Sequence, residues 1–428
     1  MKKAILATSL VALTTAGSAF AGTGAVPTGI PALEHVFVIV MENHAYGQIN
    51  GNPDAPFINE FEGTGNLATN YYGVAHPSLT NYLEIVGGSN FNNHSDQYPD
   101  WHNTNCTPNI KSGITNVDAS NLGAKTVVGL ICPISGTGTD AATPVTDTTD
   151  NETSAPPLTN IDGKLSFAAA SVVGKTIADQ LVGAGKSWKS YQEGLPAIGA
   201  DGVNVSDGVY VIGGANAAFI NVSTDFSPLS TTANSVSASD IVYLYAVKHD
   251  PFAYFASVQE GERPALSLSR IVGFDGTTGL YADLRAGNVP SLAFIAPNQC
   301  NDQHGRGNGT AFCNFDADDN GTLKGLNPSL ILQGDLEVER IITAIKSSSV
   351  WANDKSAIVL LWDENDYSTK TSNKVVAVVD TNYGTNQQTD STLYTHFSLT
   401  KSLDGAFGLP CLNHACDTNV VVMKKLFN

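Results

Sequence analysis

The stretch VFVIVMEN at residues 36–43 runs through six apolar side chains and then switches, without a spacer, to a carboxylate and an amide. Continuous rather than alternating hydrophobicity marks a strand covered on both faces, the kind found in parallel sheets. Three further stretches read the same way: SLAFIA at 291–296, IVLLW at 358–362 and VVAVV at 375–379. Between 291–296 and 358–362 lies 335–346, where Leu336, Ile341, Ile342 and Ile345 outline an apolar helical face. Strand, helix, strand is the unit of a parallel sheet. Further helices are expected at 175–184, with Ile177 and Leu181 four apart, and at 398–407, where Leu399, Leu403 and Phe407 recur every four residues. The expected class is therefore α/β: a mostly parallel central sheet flanked by helices, with long irregular insertions.

The first strand runs into Glu42 and Asn43, and the third into Asp363 and Glu364. In open parallel sheets the ligand site lies outside the carboxyl ends of the strands, so both pairs are expected to face one crevice. Three carboxylates and an amide oxygen converging there call for a hard divalent cation, although strand-end polar residues also occur simply as solvated caps. Oxygen donors argue against a soft ion and leave Ca, Mg, Mn, Zn or Fe open. A third feature is HPSLTNYLEIVGG at 76–88. Pro77 suits the opening of a helix, Leu79, Leu83 and Val86 form its apolar face, and Ser78 falls in the first turn. There the unpaired amides favour an alkoxide or a phosphate, although a serine at that position is commonly only a cap.

The chain opens with two lysines, an apolar run and the small-x-small end of SAFA, which reads as a secretory signal peptide over 1–21. The remaining roughly 400 residues suffice for one large domain. No stretch has the length of a membrane span. Acidic side chains outnumber basic ones by 40 to 22, a net charge of −18, which excludes nucleic acid as the expected partner. The even set of six cysteines, with no CxxC pair, favours disulfides in an exported chain, and proximity suggests 106–132, 300–313 and 411–416. Residues 90–160, crowded with Asn, Thr, Asp, Gly and Pro, read as a surface insertion, and 201–240 as a second irregular excursion.

The segments MENHAYGQINGNPDAPFIN and NLATNYYGVAHPSLTNYLEIVGG resemble the signature of the phosphoesterase family that includes phosphatidylcholine-type phospholipases C, respiratory-burst-inhibiting acid phosphatase and fungal phosphate-repressible acid phosphatases. Matching blocks continue in family order with TIADQLVGAGKSWKSYQEGLP at 176–196, YAVKHDPFAYF at 245–255, FIAPNQCNDQH at 294–304, WDEND at 362–366 and YTHFSLTKSLDGAFGLP at 394–410. The resemblance implies an alkaline-phosphatase-like fold over 22–428, with Glu42, Asn43, Asp363 and Glu364 as metal ligands and Ser78 as nucleophile. It also implies that His76, His249, His304 and His396 surround the scissile phosphate, with Asp302 behind them. His35, His94, His102 and His414 match no block. The phospholipase branch continues its Asp-Glu pair with His-Gly-Gly, whereas Asn365-Asp366 follows here, which favours the phosphatase side.

These observations lead to an exported metal-dependent acid phosphatase, hydrolysing phosphate monoesters through a phosphoserine, with imidazolium groups stabilising charge and an acid optimum. The alternatives are a phospholipase C-like diesterase acting on phospholipid head groups and a non-catalytic secreted binding protein on the same fold. Small phosphate esters or lipid head groups are the expected partners, without integral membrane association. Other motifs are incomplete. The acidic run from Asp316 to Gly321 has calcium-loop spacing but Asn327 at its twelfth position, both GK[ST] sites lack the upstream glycine of a P-loop, and there is no GxSxG elbow.

Overall fold

The computed structural model describes residues 23–93, 96, 133–142, 167–195, 198–200, 208–211, 219–221, 241–259, 261, 263–305, 313–317, 321–365 and 373–428. The signal-peptide reading of 1–21 and the 106–132 disulfide lie outside them. At the centre is a nine-stranded sheet: β1 (His35–Met41), β2 (Asn66–Tyr72), β3 (Trp188–Gln192), β4 (Ile271–Val272), β5 (Leu292–Ala296), β6 (Ser356–Trp362), β7 (Lys374–Thr381), β8 (Thr389–Asp390) and β9 (Tyr394–Thr395). The order across it is β8-β2-β7-β6-β1-β5-β3-β4, with β9 also pairing β2.

The four apolar runs all become strands, and three of them, β6, β1 and β5, lie side by side in parallel. The fourth, β7, departs by running antiparallel to both β6 and β2. Apolar continuity reports burial on both faces, which β7 shares, and says nothing of strand direction. Because Met41 pairs with Trp362 at the carboxyl ends of β1 and β6, the next residues, Glu42 and Asp363, emerge side by side.

Five helices matter for the site and its support: α1 (Pro56–Thr64), α2 (Ser78–Gly87), α3 (Ile177–Gly183), α4 (Pro328–Lys346) and α5 (His396–Phe407). α4 begins earlier than the apolar pattern suggests, at a Pro following Asn327, whose side chain caps Ser329 N–H. Its inner face is Leu330, Ile331, Val338, Ile341, Ile342 and Ile345, whereas Leu336 points outward and is 54% exposed. Gly334 on that inner face leaves room for Gln303, whose Cγ lies 2.3 Å from where a Cβ would stand. α2 is buried all round, so the single apolar face of the sequence pattern is only part of its contact surface. It packs on α5, and Thr400 of α5 donates to the carbonyls of Glu84 and Ile85.

Among the described residues two disulfides are present, Cys300–Cys313 and Cys411–Cys416. In the 90–160 region, strand Thr137–Thr139 pairs with Ser171–Val173, and the adjacent Asp140 accepts from Ser89 Oγ at 3.0 Å and meets His414 Nε2 at 2.8 Å. The 201–240 segment is not wholly irregular, since Gly208–Val211 pairs antiparallel with both Phe219–Asn221 and Ile241–Tyr243.

Candidate active site

Ser78 opens α2, and its hydroxyl lies among three acceptors: Glu42 Oε2 at 3.0 Å, Glu364 Oε1 at 3.1 Å and Asn43 Oδ1 at 3.4 Å. One hydroxyl hydrogen cannot serve three acceptors, so the cluster has more lone pairs than donors. Asp363 joins it by accepting Asn43 N–H at 3.2 Å, while its other oxygen is buried with no hydrogen-bond partner. Burial pushes Glu42, Asp302, Asp363 and Glu364 well above the usual carboxylate range, and their mutual repulsion adds to it. Oxygen donors in this number, one of them orphaned, fit a hard divalent cation held by Glu42, Asn43, Asp363 and Glu364.

The backbone that presents these groups is tightly specified. Asn43, at φ 50°, and Gln303, at φ 77°, sit in the left-handed region that non-glycine residues seldom enter, one in each of two segments crossing the carboxyl edge of the sheet. Gln303 is held there by accepting Trp362 Nε1–H at 3.1 Å and donating to Ile331 O at 3.0 Å. Ahead of Ser78, Asn81 accepts from the N–H groups of Val74 and Ala75 and donates to Ala75 O and Glu364 Oε2. That one side chain fixes both the approach to Ser78 and one of the carboxylates around it.

The four histidines divide in their surroundings. His76 Nδ1 lies 2.9 Å from Glu364 Oε2. His249 bridges Glu42 Oε1 at 3.3 Å and Asp302 Oδ2 at 3.2 Å and stacks on Tyr82 with ring centroids 5.3 Å apart. Glu42, His249 and Asp302 thereby form a second cluster able to hold an ion. His304 sits beyond, with Nδ1 2.9 Å from Gly305 O and Nε2 3.3 Å from Lys248 Nζ. His396 has both ring nitrogens engaged within the protein, Nε2 with Asp363 O at 2.5 Å and Nδ1 with the Tyr71 hydroxyl at 3.0 Å. Burial pushes its pKa down to about 4, so above that pH it is neutral and does not supply the imidazolium charge anticipated for it.

Sequence reasoning passed over Lys248, Asp96 and Asn81. Lys248 is only 5% exposed, and its charge reaches Glu42, Asp302, Asp363 and Glu364, favouring their ionised forms. It stands next to His249 in the block YAVKHDPFAYF, a signal that was available. Asp96 lies inside the insertion, where no pattern singled it out.

The profile of the Phosphoesterase family matches residues 50–312. The chain belongs to that family. As a phosphoesterase it is a hydrolase acting on phosphoric ester bonds. It is 22% identical over 402 residues to the phosphatidylinositol-3-phosphatase of Mycobacterium tuberculosis, covering 92% of this chain and 85% of that one. It is 28% identical over 254 residues to the phosphate-repressible acid phosphatase of Penicillium chrysogenum, covering 58% of this chain and 46% of the relative, so the match takes in under half of that protein's length. A solved member of the alkaline phosphatase superfamily from Vibrio parahaemolyticus superposes with a TM-score of 0.43 at 10% identity, over 91% of this chain and 70% of that one. Among the described residues of this phosphoesterase no helix is long and apolar enough to cross a membrane.

Proposed function

We propose that the protein is an exported acid phosphatase that transfers the phosphoryl group of a monoester to Ser78 and then to water. The observation that carries this is the Ser78 hydroxyl set among Glu42, Asn43 and Glu364 at the start of α2. Glu42, Asn43, Asp363 and Glu364 would hold a divalent cation, whose charge would offset that of the phosphate and favour loss of the hydroxyl proton. Ser78 Oγ forms the new bond to phosphorus as the ester P–O bond breaks. Its proton leaves through Glu42 Oε2, behind which His249 and Asp302 offer an onward path. The departing alkoxide takes a proton from the His304–Lys248 pair. Water then attacks the phosphoserine, giving one proton to the His304–Lys248 pair as its oxygen bonds to phosphorus; the Ser78 Oγ–P bond breaks, Ser78 takes back the proton held at Glu42, and inorganic phosphate leaves.

The monoester rather than the diester is favoured by Lys248. A monoester dianion brings one more negative charge into a site already crowded with carboxylates, and a buried ammonium offsets it. The phosphatase names of the two relatives support the same side. His396 acts here as a positioning residue, holding the Asp363 carbonyl and so the strand end that carries two of the ligands.

The test is hydrolysis of p-nitrophenyl phosphate and of bis-p-nitrophenyl phosphate from pH 4 to 9, by wild type and Ser78→Ala, before and after chelation. Monoester turnover that peaks in acid, needs metal and vanishes in the variant supports the reading. A wild type that cleaves only the diester, or neither, rejects it.

A further inference from the structure

Phe315 is a large apolar side chain left 40% exposed beside the proposed site, with its ring centroid 5.9 Å from that of His304 in an edge-on arrangement. Its backbone is fastened from both sides. Two residues earlier, Cys313 is bonded to Cys300, in the segment that leads to Asp302 and His304. One residue later, Asp316 meets His44 Nε2 at 3.0 Å, and His44 in turn bonds the Glu42 carbonyl through Nδ1 at 2.9 Å. Asp316 Oδ1 also accepts the N–H of Asn327, just before α4, at 2.6 Å. These bonds use the first residue of what the sequence offered as a calcium loop, so Asp316 serves as an anchor.

An exposed phenyl ring gains little from the core. Yet a disulfide and a buried ion pair fix this ring against a histidine of the site. Of the four site histidines, His304 is the most exposed, at 7%. His304 lies 6.0 Å, ring centroid to centroid, from His249, which meets Glu42, and exposure rises along this row from 2% at His249 through 7% at His304 to 40% at Phe315. A flat apolar group attached to the phosphate would meet the ring there, whereas a small polar alcohol would not.

We propose that Phe315 is a specificity-determining contact for the leaving group, and that the substrates taken best are monoesters of alcohols with an aromatic or similarly flat apolar body next to the phosphate. This rests on the monoesterase reading above. A single aromatic contact is worth roughly a threefold to tenfold preference.

The experiment compares kcat/KM for 1-naphthyl phosphate and glycerol 2-phosphate in wild type, Phe315→Ala and Phe315→Trp. The ratio of the two is expected to fall threefold to tenfold in Phe315→Ala, chiefly through KM for the naphthyl ester, and to recover in Phe315→Trp. An unchanged ratio overturns the proposal, as does an equal loss on both substrates. In the Ser78→Ala background, calorimetric affinities for 1-naphthyl phosphate and inorganic phosphate read the same contact without turnover. There the preference for the naphthyl ester should shrink when Phe315→Ala is added, and an unaltered preference again overturns the proposal. A wild type that hydrolyses neither ester would sink the monoesterase reading, while the calorimetric comparison still decides the role of Phe315.

Discussion

Lys248 Nζ lies 3.0 Å from Asp96 Oδ2 inside the protein, while the other oxygen of Asp96 accepts the N–H of Leu79, the residue after Ser78. The helix opened by Ser78 and the block containing His249 are thereby joined through one carboxylate. Lys248→Met should lower kcat/KM for p-nitrophenyl phosphate by about a hundredfold to a thousandfold, the usual loss when a charge-stabilising donor is removed. The same change should lower turnover of bis-p-nitrophenyl phosphate by less than about tenfold, because that substrate lacks the extra charge. Steady-state kinetics on both esters check this, and a proportional loss on the two would remove Lys248 from any role in selecting monoesters. Breaking a buried pair also destabilises, typically by about 3–5 kcal/mol, so the kinetic ratio is the deciding quantity.

Metal content follows from the orphaned oxygen of Asp363. Asp363→Asn should weaken divalent-ion affinity by at least about a hundredfold, since even outer partners of ligands cost ten to a hundred. Chelation should lower the melting temperature of the wild type and leave that of Asp363→Asn nearly unmoved, because only the folded state binds the ion. Elemental analysis should give one ion per chain, and the same in Asp302→Asn, if His249 and Asp302 act on protons. Two ions in the wild type and one in Asp302→Asn would instead assign Glu42, His249 and Asp302 to a second cation.

The sheet was legible because burial on both faces leaves an unbroken apolar imprint, seen at 36–41, 291–296, 358–362 and 375–379. Direction leaves no such imprint, which is why β7 could not be told from its parallel neighbours. The convergence of polar groups was legible where they follow a strand end, as with Glu42 and Asp363. Lys248 and Asp96 were not, since each acquires meaning only from a partner 152 positions away. His414 matches no family block. It is buried between Asp140 and Asp417, a relation that no local pattern encodes.

That histidine yields a pH prediction. Burial pulls the His414 pKa down, but hydrogen bonds and charge from Asp140 and Asp417 overcome it, leaving the value above the ordinary 6.5. A raised folded pKa contributes stability that is fully present below the unfolded value and lost as pH rises through the folded one. His414→Gln should therefore melt well below wild type in mild acid, with the gap narrowing above neutrality. Thermal scans from about pH 5 to 9 check this, and a gap independent of pH would show that the ring acts only by packing.

Glu193 links a buried carboxyl group to the site. Its Oε2 accepts Asn298 N–H at 3.0 Å, and Asn301 Nδ2 lies 2.8 and 2.9 Å from its two oxygens, so it holds the segment that continues to Asp302 and His304. Burial, reinforced by Glu337, pushes its pKa up to about 8 despite the opposing pull of Arg340 and these donors. The unfolded chain ionises from near 4.5, so the wild type should lose stability as pH climbs from there to about 8. Glu193→Gln cannot ionise and should show a flatter melting curve over that range. Glu193→Ala removes the acceptors altogether, and the resulting slack in 298–304 should reduce kcat by about tenfold to a hundredfold, with a smaller change in KM. If Glu193→Gln follows the wild-type melting curve at every pH, Glu193 is already ionised in the fold. If Glu193→Ala then retains full turnover as well, Asp302 and His304 are held by Gln303 and the Cys300–Cys313 bond without it.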